Sequence, residues 1–347
     1  MKHKFCLLFA VTIAFLLLVS VDSYAGNRKK AGIAAGAELL IPVGTRDMAM
    51  GGSTVAMTKG IDAIYWNPAG LAWTPYDAVA AFSRTSYIAD IDVNYVAVAG
   101  TFGNFGSVGF TIKSLAIGNI PITTEDEPDG TGAFLNPTFF TIGAHYAKLL
   151  IDRVAVGFSF RVVSENLREA RVSATGFAFS AGVQYKNAGG LRGFDLGVAV
   201  KNIGPQMGFD GSGLLREARV TDVTRGGSLI KVEGNSEDLP STIEIGAAYT
   251  VNASETSKLH FATMFQNNNF SDDQARFGVE YEYNDIFFVR GGFNSSPDAP
   301  TDAFIFGPTL GAGVHAMVSG VNIFADYAWT QNDTFDNQST FSVKLGF

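Results

Sequence analysis

Apolar residues alternate with small or polar residues along much of the chain, with a period of two. From Val154 to Val162 every second residue is valine or phenylalanine, and the residues between them include Ser159 and Arg161. Successive side chains of a β-strand point to opposite faces, so this period predicts strands with one apolar face. The alternation recurs at 177–186, 242–249, 276–283 and 321–329.

The length of the alternating runs separates two classes of β protein. Strands of soluble sandwiches are commonly about five or six residues long. A tilted strand needs about nine to eleven residues to cross a bilayer, and the runs here approach that length. The pattern therefore favours an all-β transmembrane barrel over a soluble sandwich. We predict about fourteen antiparallel strands, at 77–85, 91–102, 106–117, 137–148, 153–165, 171–186, 193–202, 240–251, 257–267, 274–283, 286–294, 305–318, 321–330 and 339–347.

The connections between the predicted strands differ in length, which predicts an orientation. If the first strand runs outward, the periplasmic connections are all short and contain Gly, Asn or Asp, as in Asn284–Asp285. The longest connections, 118–136, 203–239 and 295–304, then face outward. Short periplasmic turns and long outer loops are expected of outer-membrane barrels. The 203–239 connection leaves room for an extra hairpin.

The composition agrees with a barrel whose outer solvent is lipid. Hydrophobic residues make up 47% of the 347 residues and charged residues 17%, whereas about a quarter of residues are charged in soluble domains. After residue 21, however, no apolar run approaches the roughly 18–20 residues of a membrane helix. The formal net charge of −8 makes nucleic acid an unsuitable partner, because phosphate binding needs a basic surface.

The N-terminus has the pattern of a secretory signal. Lys2 and Lys4 precede an apolar stretch from Phe5 to Val21, and small residues follow at Ser23 and Ala25. We predict a signal peptide at 1–25, with an uncleaved signal anchor as the alternative. The single cysteine of the chain lies inside the apolar stretch, so cleavage would leave no thiol for a disulfide.

The C-terminus reads as one more amphipathic strand, over residues 340–347, and it ends in Phe347. This ending resembles the closing strand of Gram-negative outer-membrane barrels, where it serves as the assembly signal. The resemblance implies that Phe347 is recognised by the barrel assembly machinery. It also implies a final location among the lipid and lipopolysaccharide of the outer membrane.

Residues 26–76 precede the predicted barrel at 77–347 and are rich in small residues without alternating. We predict that this segment plugs the lumen, since a barrel this wide is otherwise an open pore. The alternative is a segment lying on the periplasmic surface. Glycines at 51 and 52 would allow close approach to the wall, and Asn67 before Pro68 would cap a short helix.

Two stretches of this segment carry a family resemblance. They are Pro42-Val43-Gly44-Thr45-Arg46-Asp47-Met48-Ala49-Met50-Gly51-Gly52 and Tyr65-Trp66-Asn67-Pro68-Ala69-Gly70-Leu71-Ala72. Both resemble the PorV/PorQ family, within the wider FadL-like group of fourteen-stranded barrels that carry an N-terminal hatch. The Asn67-Pro68-Ala69 tripeptide is the part shared with the fatty-acid transporters. The hatch motif implied by this resemblance consists of Gly51, Gly52, Trp66, Asn67, Pro68, Ala69 and Gly70.

The resemblance implies a non-enzymatic protein in the outer membrane of a Gram-negative bacterium. PorV-like members serve the type IX secretion system and receive cargo through its C-terminal domain, while PorQ-like members accompany the same system. Secretion components and cargo C-terminal domains are therefore the implied partners. FadL-like relatives instead pass hydrophobic compounds through a lateral opening, so a hydrophobic transporter is the alternative function.

Candidate chemistry is sparse in this sequence. It contains no Gly-x-Ser-x-Gly elbow, P-loop or dinucleotide fingerprint, so we expect no catalytic residues and no cofactor. His145, His260 and His315 fall on three separate predicted strands without metal-ligand spacing, which predicts no metal site. The acidic loop at 125–130 could hold calcium, but it lacks the spacing of a calcium loop and is expected to be solvated.

Several charged residues fall on the small-residue face of the predicted strands and should therefore line the lumen. Because their charges are mixed in sign, we expect them to pair across the lumen and hold the plug. A selective pore would carry one dominant sign. The lumen-facing charges are Arg161, Glu244, Arg276, Glu280 and Asp326, together with Lys113, Lys186, Glu282 and Lys344.

Overall fold

The computed structural model describes residues 32–218, 228–297 and 304–347. In it, fourteen antiparallel strands form a closed barrel, because the last strand pairs with the first. All fourteen predicted strands are confirmed, and no strand end differs from its prediction by more than three residues. The strands are β1 Ala78–Ser86, β2 Asp92–Thr101, β3 Ser107–Ala116, β4 Thr138–Ile151, β5 Val154–Leu167, β6 Val172–Tyr185, β7 Phe194–Ile203, β8 Thr242–Asn252, β9 Ser257–Asn268, β10 Gln274–Tyr283, β11 Phe287–Ser295, β12 Phe306–Val318, β13 Val321–Asn332 and β14 Gln338–Gly346.

The period-two pattern separates an apolar outer face from a small and polar inner face. In β5, Phe158 and Phe160 are exposed on the outside, whereas Ser159 and Arg161 are buried on the inside. The outward rows of phenylalanine and tyrosine would be unfavourable in water, but lipid acyl chains solvate them in an outer-membrane barrel. The alternation in the sequence thus matches lipid on the outer face of the wall and a packed lumen on its inner face.

The two rims of the barrel differ in the length of their connections. The rim with the connections after β1, β3, β5, β7, β9, β11 and β13 is called the loop end here, and the opposite rim the turn end. Connections at the turn end are short, down to the two residues 319–320 between β12 and β13. The loop end holds the long connections 117–137, 204–241 and 296–305. Their distribution agrees with the predicted one, and which rim faces outward stays a prediction.

Among the described residues, three short antiparallel pairs lie in the loop-end connections, outside the barrel ladder. One pair lies in the 117–137 connection and two lie in the 204–241 connection, which therefore contains more than the single extra hairpin considered from the sequence. The pairs are Ile120–Pro121 with Phe134–Leu135, Met207–Gly208 with Ser236–Glu237, and Leu215–Ala218 with Ser228–Lys231. Short 3-10 turns occupy Ile88–Asp90, Gly103–Phe105, Ala188–Gly190 and Ser212–Leu214.

The described part of the N-terminal segment, residues 32–76, lies among inward-facing side chains of the strands. The longest helix in the described part of the chain has 6 residues, so none of the described helices could span a bilayer. Met50, Val55 and Leu71 of this segment are fully buried, so it forms much of the protein's core. Its elements are the helices α1 Thr45–Ala49 and α2 Ala63–Trp66 and the 3-10 helices Ala37–Leu40, Gly60–Asp62 and Pro68–Trp73. The predicted signal peptide at 1–25 and residues 26–31 lie outside the described residues.

Candidate lumen site

Asn67 joins the N-terminal segment to the barrel wall. Its side-chain oxygen accepts a hydrogen bond from the Ala69 N–H at 3.1 Å and caps the 3-10 helix that starts at Pro68, as the sequence predicts. Its amide nitrogen donates to Val55 O at 2.8 Å and to Val183 O of β6 at 3.1 Å. The side chain is fully buried, so each bond forms without competition from water.

Glycines of the wall and of the segment let the two backbones touch. A Cβ on Gly157 of β5 would overlap Pro68 and Ala69, and one on Gly182 of β6 would overlap the Asn67 side chain. Gly52 has a φ of +72°, and a Cβ there would overlap the Trp66 ring. All three positions therefore need glycine for the close approach, and Gly52 needs it also for its left-handed backbone.

Two further glycines of the predicted hatch motif are equally confined. Gly51 has a φ of +65°, and a Cβ there would lie 2.9 Å from the Phe293 nitrogen of β11. A Cβ on Gly70 would overlap the Thr58 carbonyl within the segment. The Trp66 ring nitrogen donates to Val43 O at 2.8 Å, and only 3% of this side chain is exposed.

A chain of ion pairs ties the segment to one side of the wall. Arg46 of α1 binds Glu280 of β10 at 2.6 Å, and Glu280 also binds Arg290 of β11 at 2.5 Å. Arg290 contacts Asp326 of β13, and Lys344 of β14 binds that same carboxylate. Lys344 finally binds Asp62 of the segment at 2.5 Å, so the chain starts and ends in the segment.

Burial makes this ion-pair chain energetically significant. The side chains of Glu280, Arg290 and Asp326 are at most 3% exposed. Buried charges are stable only when each is paired, because desolvating an isolated ion costs several kcal/mol. Glu280 and Asp326 were expected from the sequence to line the lumen, and the structure gives each of them two cationic partners.

On the opposite side of the lumen, cations of the wall bind backbone carbonyls of the segment. Arg161 of β5 donates to Ile64 O at 3.0 Å and to Ser180 Oγ at 3.0 Å. Lys113 of β3 donates to Glu38 O and to Ile41 O, at 2.5 and 3.1 Å. The segment is therefore held by hydrogen bonds to carbonyls on one side and by ion pairs on the other.

Glu38 places a buried carboxyl group near the loop end. It is 3% exposed, and neither of its side-chain oxygens has a hydrogen-bond partner among the described residues. Burial, together with the nearby carboxylate of Glu165, raises the pKa of Glu38 to about 8. Asp47 is also buried, which raises its pKa to about 6.

Glu244 and Arg276 lie at a cavity of about 260 Å³ in the loop-end half of the lumen. Tyr65 and Trp66 of the segment line the cavity on one side. Glu244 pairs with Lys201 at 2.9 Å, whereas Arg276 forms no ion pair with any described residue. The sequence-predicted lumen charges thus separate into an ion-pair chain, a carbonyl-bonded arginine and this cavity.

One group of described residues has the composition and spacing of a cation site. Ligand atoms of His260, Glu280 and Glu282 lie within 4.8 Å of one another. The carboxylates are already used, since Glu280 binds Arg46 and Arg290 while Glu282 binds Lys258 at 2.5 Å and His260 at 3.2 Å. Bound arginine and lysine leave little negative charge for a metal ion.

Sequence reasoning missed three partners in the ion-pair chain, Arg46, Asp62 and Arg290. Arg46 and Asp62 lie outside the strands, where alternation gives no information about orientation. Arg290 could have been found, because the short turn at 284–286 sets the register that places it directly opposite Glu280. Phe347 is 57% exposed, and its backbone bonds Asp77 and Ala78, while its part in assembly stays a prediction.

Several solved structures share this fold at low sequence identity. A toluene transporter, TodX, from Pseudomonas putida is 11% identical, with a TM-score of 0.55 over 88% of this chain and 97% of that chain. A FadL homologue from Pseudomonas aeruginosa is 12% identical, with a TM-score of 0.53 over 88% and 98% of the two chains. The CymD monoaromatic hydrocarbon channel is also 12% identical, with a TM-score of 0.52 over 89% and 98%.

Comparison of the sequence with protein-family models identifies the family of this chain. No curated protein sequence matches the chain. Residues 24–255, more than half of the chain, match the family model described as "Type IX secretion system protein PorV". Both the family and the fold are those of secretion or transport barrels rather than enzymes. The chain therefore belongs to the PorV family of type IX secretion system proteins and is located in the outer membrane of a Gram-negative bacterium.

Proposed function

We propose that this protein is a non-enzymatic component of type IX secretion that receives cargo through the C-terminal domain of the cargo. The proposal rests on the family and on apolar side chains exposed at the loop end. Leu229 and Ile230, in the long 204–241 connection, are 70% and 50% exposed. Exposed apolar patches outside the lipid-facing wall are typical of protein-binding surfaces.

The hairpin that carries these residues offers backbone as well as side-chain contacts. Leu215–Ala218 pairs only with Ser228–Lys231 among the described strands, so each strand has a free edge. A free edge can accept an additional strand from a partner by β-augmentation. A second loop-end connection exposes Ile120 and Phe134, at 42% and 47%. Together these connections form a surface suited to a cargo domain that offers an apolar face or an edge strand.

A lumen filled by the N-terminal segment fits a protein that binds partners better than one that conducts ions or catalyses a reaction. We propose that the N-terminal segment acts as a plug held by the ion-pair chain and by Asn67. Among the described histidines, His145 is buried between the hydroxyls of Thr111 and Ser159 and lacks an acidic partner. The proposed partners are secretion components and cargo C-terminal domains, besides outer-membrane lipid and lipopolysaccharide. The barrel assembly machinery would recognise Phe347.

The proposal is tested by a pull-down, in which a purified cargo C-terminal domain is added to detergent-solubilised outer membranes that contain the protein. The amount of domain recovered with the barrel is measured. Leu229→Ser should reduce capture of the domain, because it removes an apolar contact from the loop-end surface. Met317→Ser is the matched control, since Met317 is also 70% exposed but lies at the turn end. Equal capture by both variants, or normal cargo secretion and anchoring in a deletion strain, would contradict the proposal.

A second candidate function, uptake of hydrophobic small molecules, is favoured by one observation. The pairing of β6 with β7 shifts register between Phe179 and Ala181, opposite Ile203 and Val200. An apolar groove of about 640 Å³ lies on the outer wall at this point. The closed ladder and the charged, filled lumen count against passage. Uptake of toluene by vesicles containing the protein, at a rate above that of empty vesicles, would favour transport instead.

A further inference from the structure

The cavity in the lumen has features of a binding site that cargo capture at the exposed loops does not use. It lies where β7 to β14 reach the loop end, and Phe270 of a loop-end connection contributes to its lining. Its volume of about 260 Å³ is below the roughly 300–1,000 Å³ of pockets for drug-sized ligands. A cavity of this size can hold the end of a chain but not a folded domain.

Arg276 gives the cavity a positive charge that forms no ion pair with any described residue. Its Nη2 donates to Gln274 Oε1 at 2.7 Å, but its buried Nε has no hydrogen-bond partner among the described residues. The neighbouring Glu244 is already paired with Lys201, at 2.9 Å. A guanidinium with free donors binds a carboxylate in a bidentate, charge-assisted geometry.

Amide side chains surround this arginine. Gln266, Gln274, Asn294 and Gln338 come from four different strands, and all line the cavity. Among them, Asn294 Oδ1 and Gln338 Nε2 are buried without hydrogen-bond partners. Unpaired buried polar groups are costly, so a ligand with its own N–H and C=O groups would stabilise them.

An aromatic surface completes the cavity. Tyr65 and Trp66 lie against its inner side, with their rings at an edge-to-face angle of 79°. Leu40 and Pro42 extend this apolar surface. The cavity therefore combines a cation, amides of both hydrogen-bonding senses and an apolar wall, which matches a peptide end with its carboxylate, backbone and side chain.

We propose that this cavity binds the C-terminal carboxylate of a peptide chain, namely the free end of the cargo C-terminal domain. The inference rests on the proposed function, because that function brings the cargo domain to the loop end. Arg276 binds the terminal carboxylate, the amides pair with the last peptide groups, and Trp66 packs against a terminal side chain.

The test compares a purified cargo C-terminal domain with a free carboxylate against the same domain carrying a C-terminal amide. Binding to the wild-type barrel in detergent is measured by microscale thermophoresis. Because only the end of the cargo domain differs, the barrel is the same in both measurements. The amidated domain should bind at least ~10-fold more weakly, as expected for loss of one charge-assisted pair. Arg276→Gln should weaken the free-acid domain by a similar factor and leave the amidated domain unaffected.

Lys258→Gln is the control variant, because it also removes one positive charge but lies at the turn end, beside Asp285. It should bind both forms of the domain as wild type does. Equal affinity of the two forms for wild-type barrel would overturn this inference and leave the proposed function standing. Failure of the wild-type barrel to bind either form would overturn the proposed function itself.

Discussion

The ion-pair chain makes a quantitative prediction at its centre, Glu280. Replacing Glu280 with glutamine keeps the side-chain shape but removes the charge that Arg46 and Arg290 share. Both arginines are largely buried, at 11% and 3% exposure, so neither can recover its hydration in place. Breaking a buried ion pair by removing one partner costs about 3–5 kcal/mol. We expect a loss of that order in the free energy of unfolding.

The assay is equilibrium urea unfolding of the barrel in lipid vesicles, followed by tryptophan fluorescence. The matched control is Asp92→Asn, because Asp92 pairs with Arg84 at the same 2.6 Å as Arg46 with Glu280. That pair lies on the surface, where the Arg84 side chain is 60% exposed, so its loss should have little measurable effect.

The two pairs have the same N···O distance, whereas Glu280 is buried and also binds a second arginine, so Glu280→Gln should have the larger effect. If Glu280→Gln and Asp92→Asn shift the unfolding midpoint equally, burial does not determine the strength of the ion-pair chain, and the reasoning is refuted. A planar-bilayer recording provides a second measure. Loosening of the N-terminal segment in Glu280→Gln should raise the open-channel conductance above that of wild type.

Three further predictions concern the same architecture. Gly157→Ala should destabilise the barrel by about 1–3 kcal/mol, whereas Gly291→Ala, where a Cβ has 3.7 Å of room, should be tolerated, and similar unfolding midpoints would contradict the close approach. Glu38 should stabilise the fold below its ordinary pKa of 4.5 and lose this contribution as pH rises through about 8, so Glu38→Gln should flatten the fall in melting temperature between pH 5 and 8.5. Protease added to intact cells should cut within 204–241 or 117–137 before any turn-end connection, and earlier cleavage at 284–286 would reverse the predicted orientation.

The barrel could be predicted from the sequence because each strand and turn is specified by residues that are neighbours in the chain. A wall with lipid outside and a packed lumen inside favours an apolar residue at every second position, and β5 displays this over residues 154–162. The turn at 284–286 similarly ends one run and starts the next. The Asn67–Pro68 cap was also predictable, since it depends on neighbouring residues only.

The lumen partners were not predictable in the same way. The Arg46–Glu280 pair joins residues far apart in the chain, and no periodicity places Arg46 within a segment of short helices. No pattern in the sequence indicates that Arg276 forms no ion pair while Arg290 binds two carboxylates. Which charges meet depends on how the segment is seated in the barrel, and that depends on contacts from nearly every strand.

The position of Lys344 has a consequence for the order in which the barrel can be assembled. Lys344 belongs to the last strand, yet it binds Asp62, which precedes the first strand. β14 also closes the wall against β1, so the wall and the anchoring of the segment are completed by the same strand. A chain whose last strand has not yet been exported lacks both the β14–β1 pairing and the Lys344–Asp62 ion pair. The N-terminal segment therefore gains its contact with Lys344 only when the barrel closes, and a truncation that removes β14 would remove that contact together with the seam.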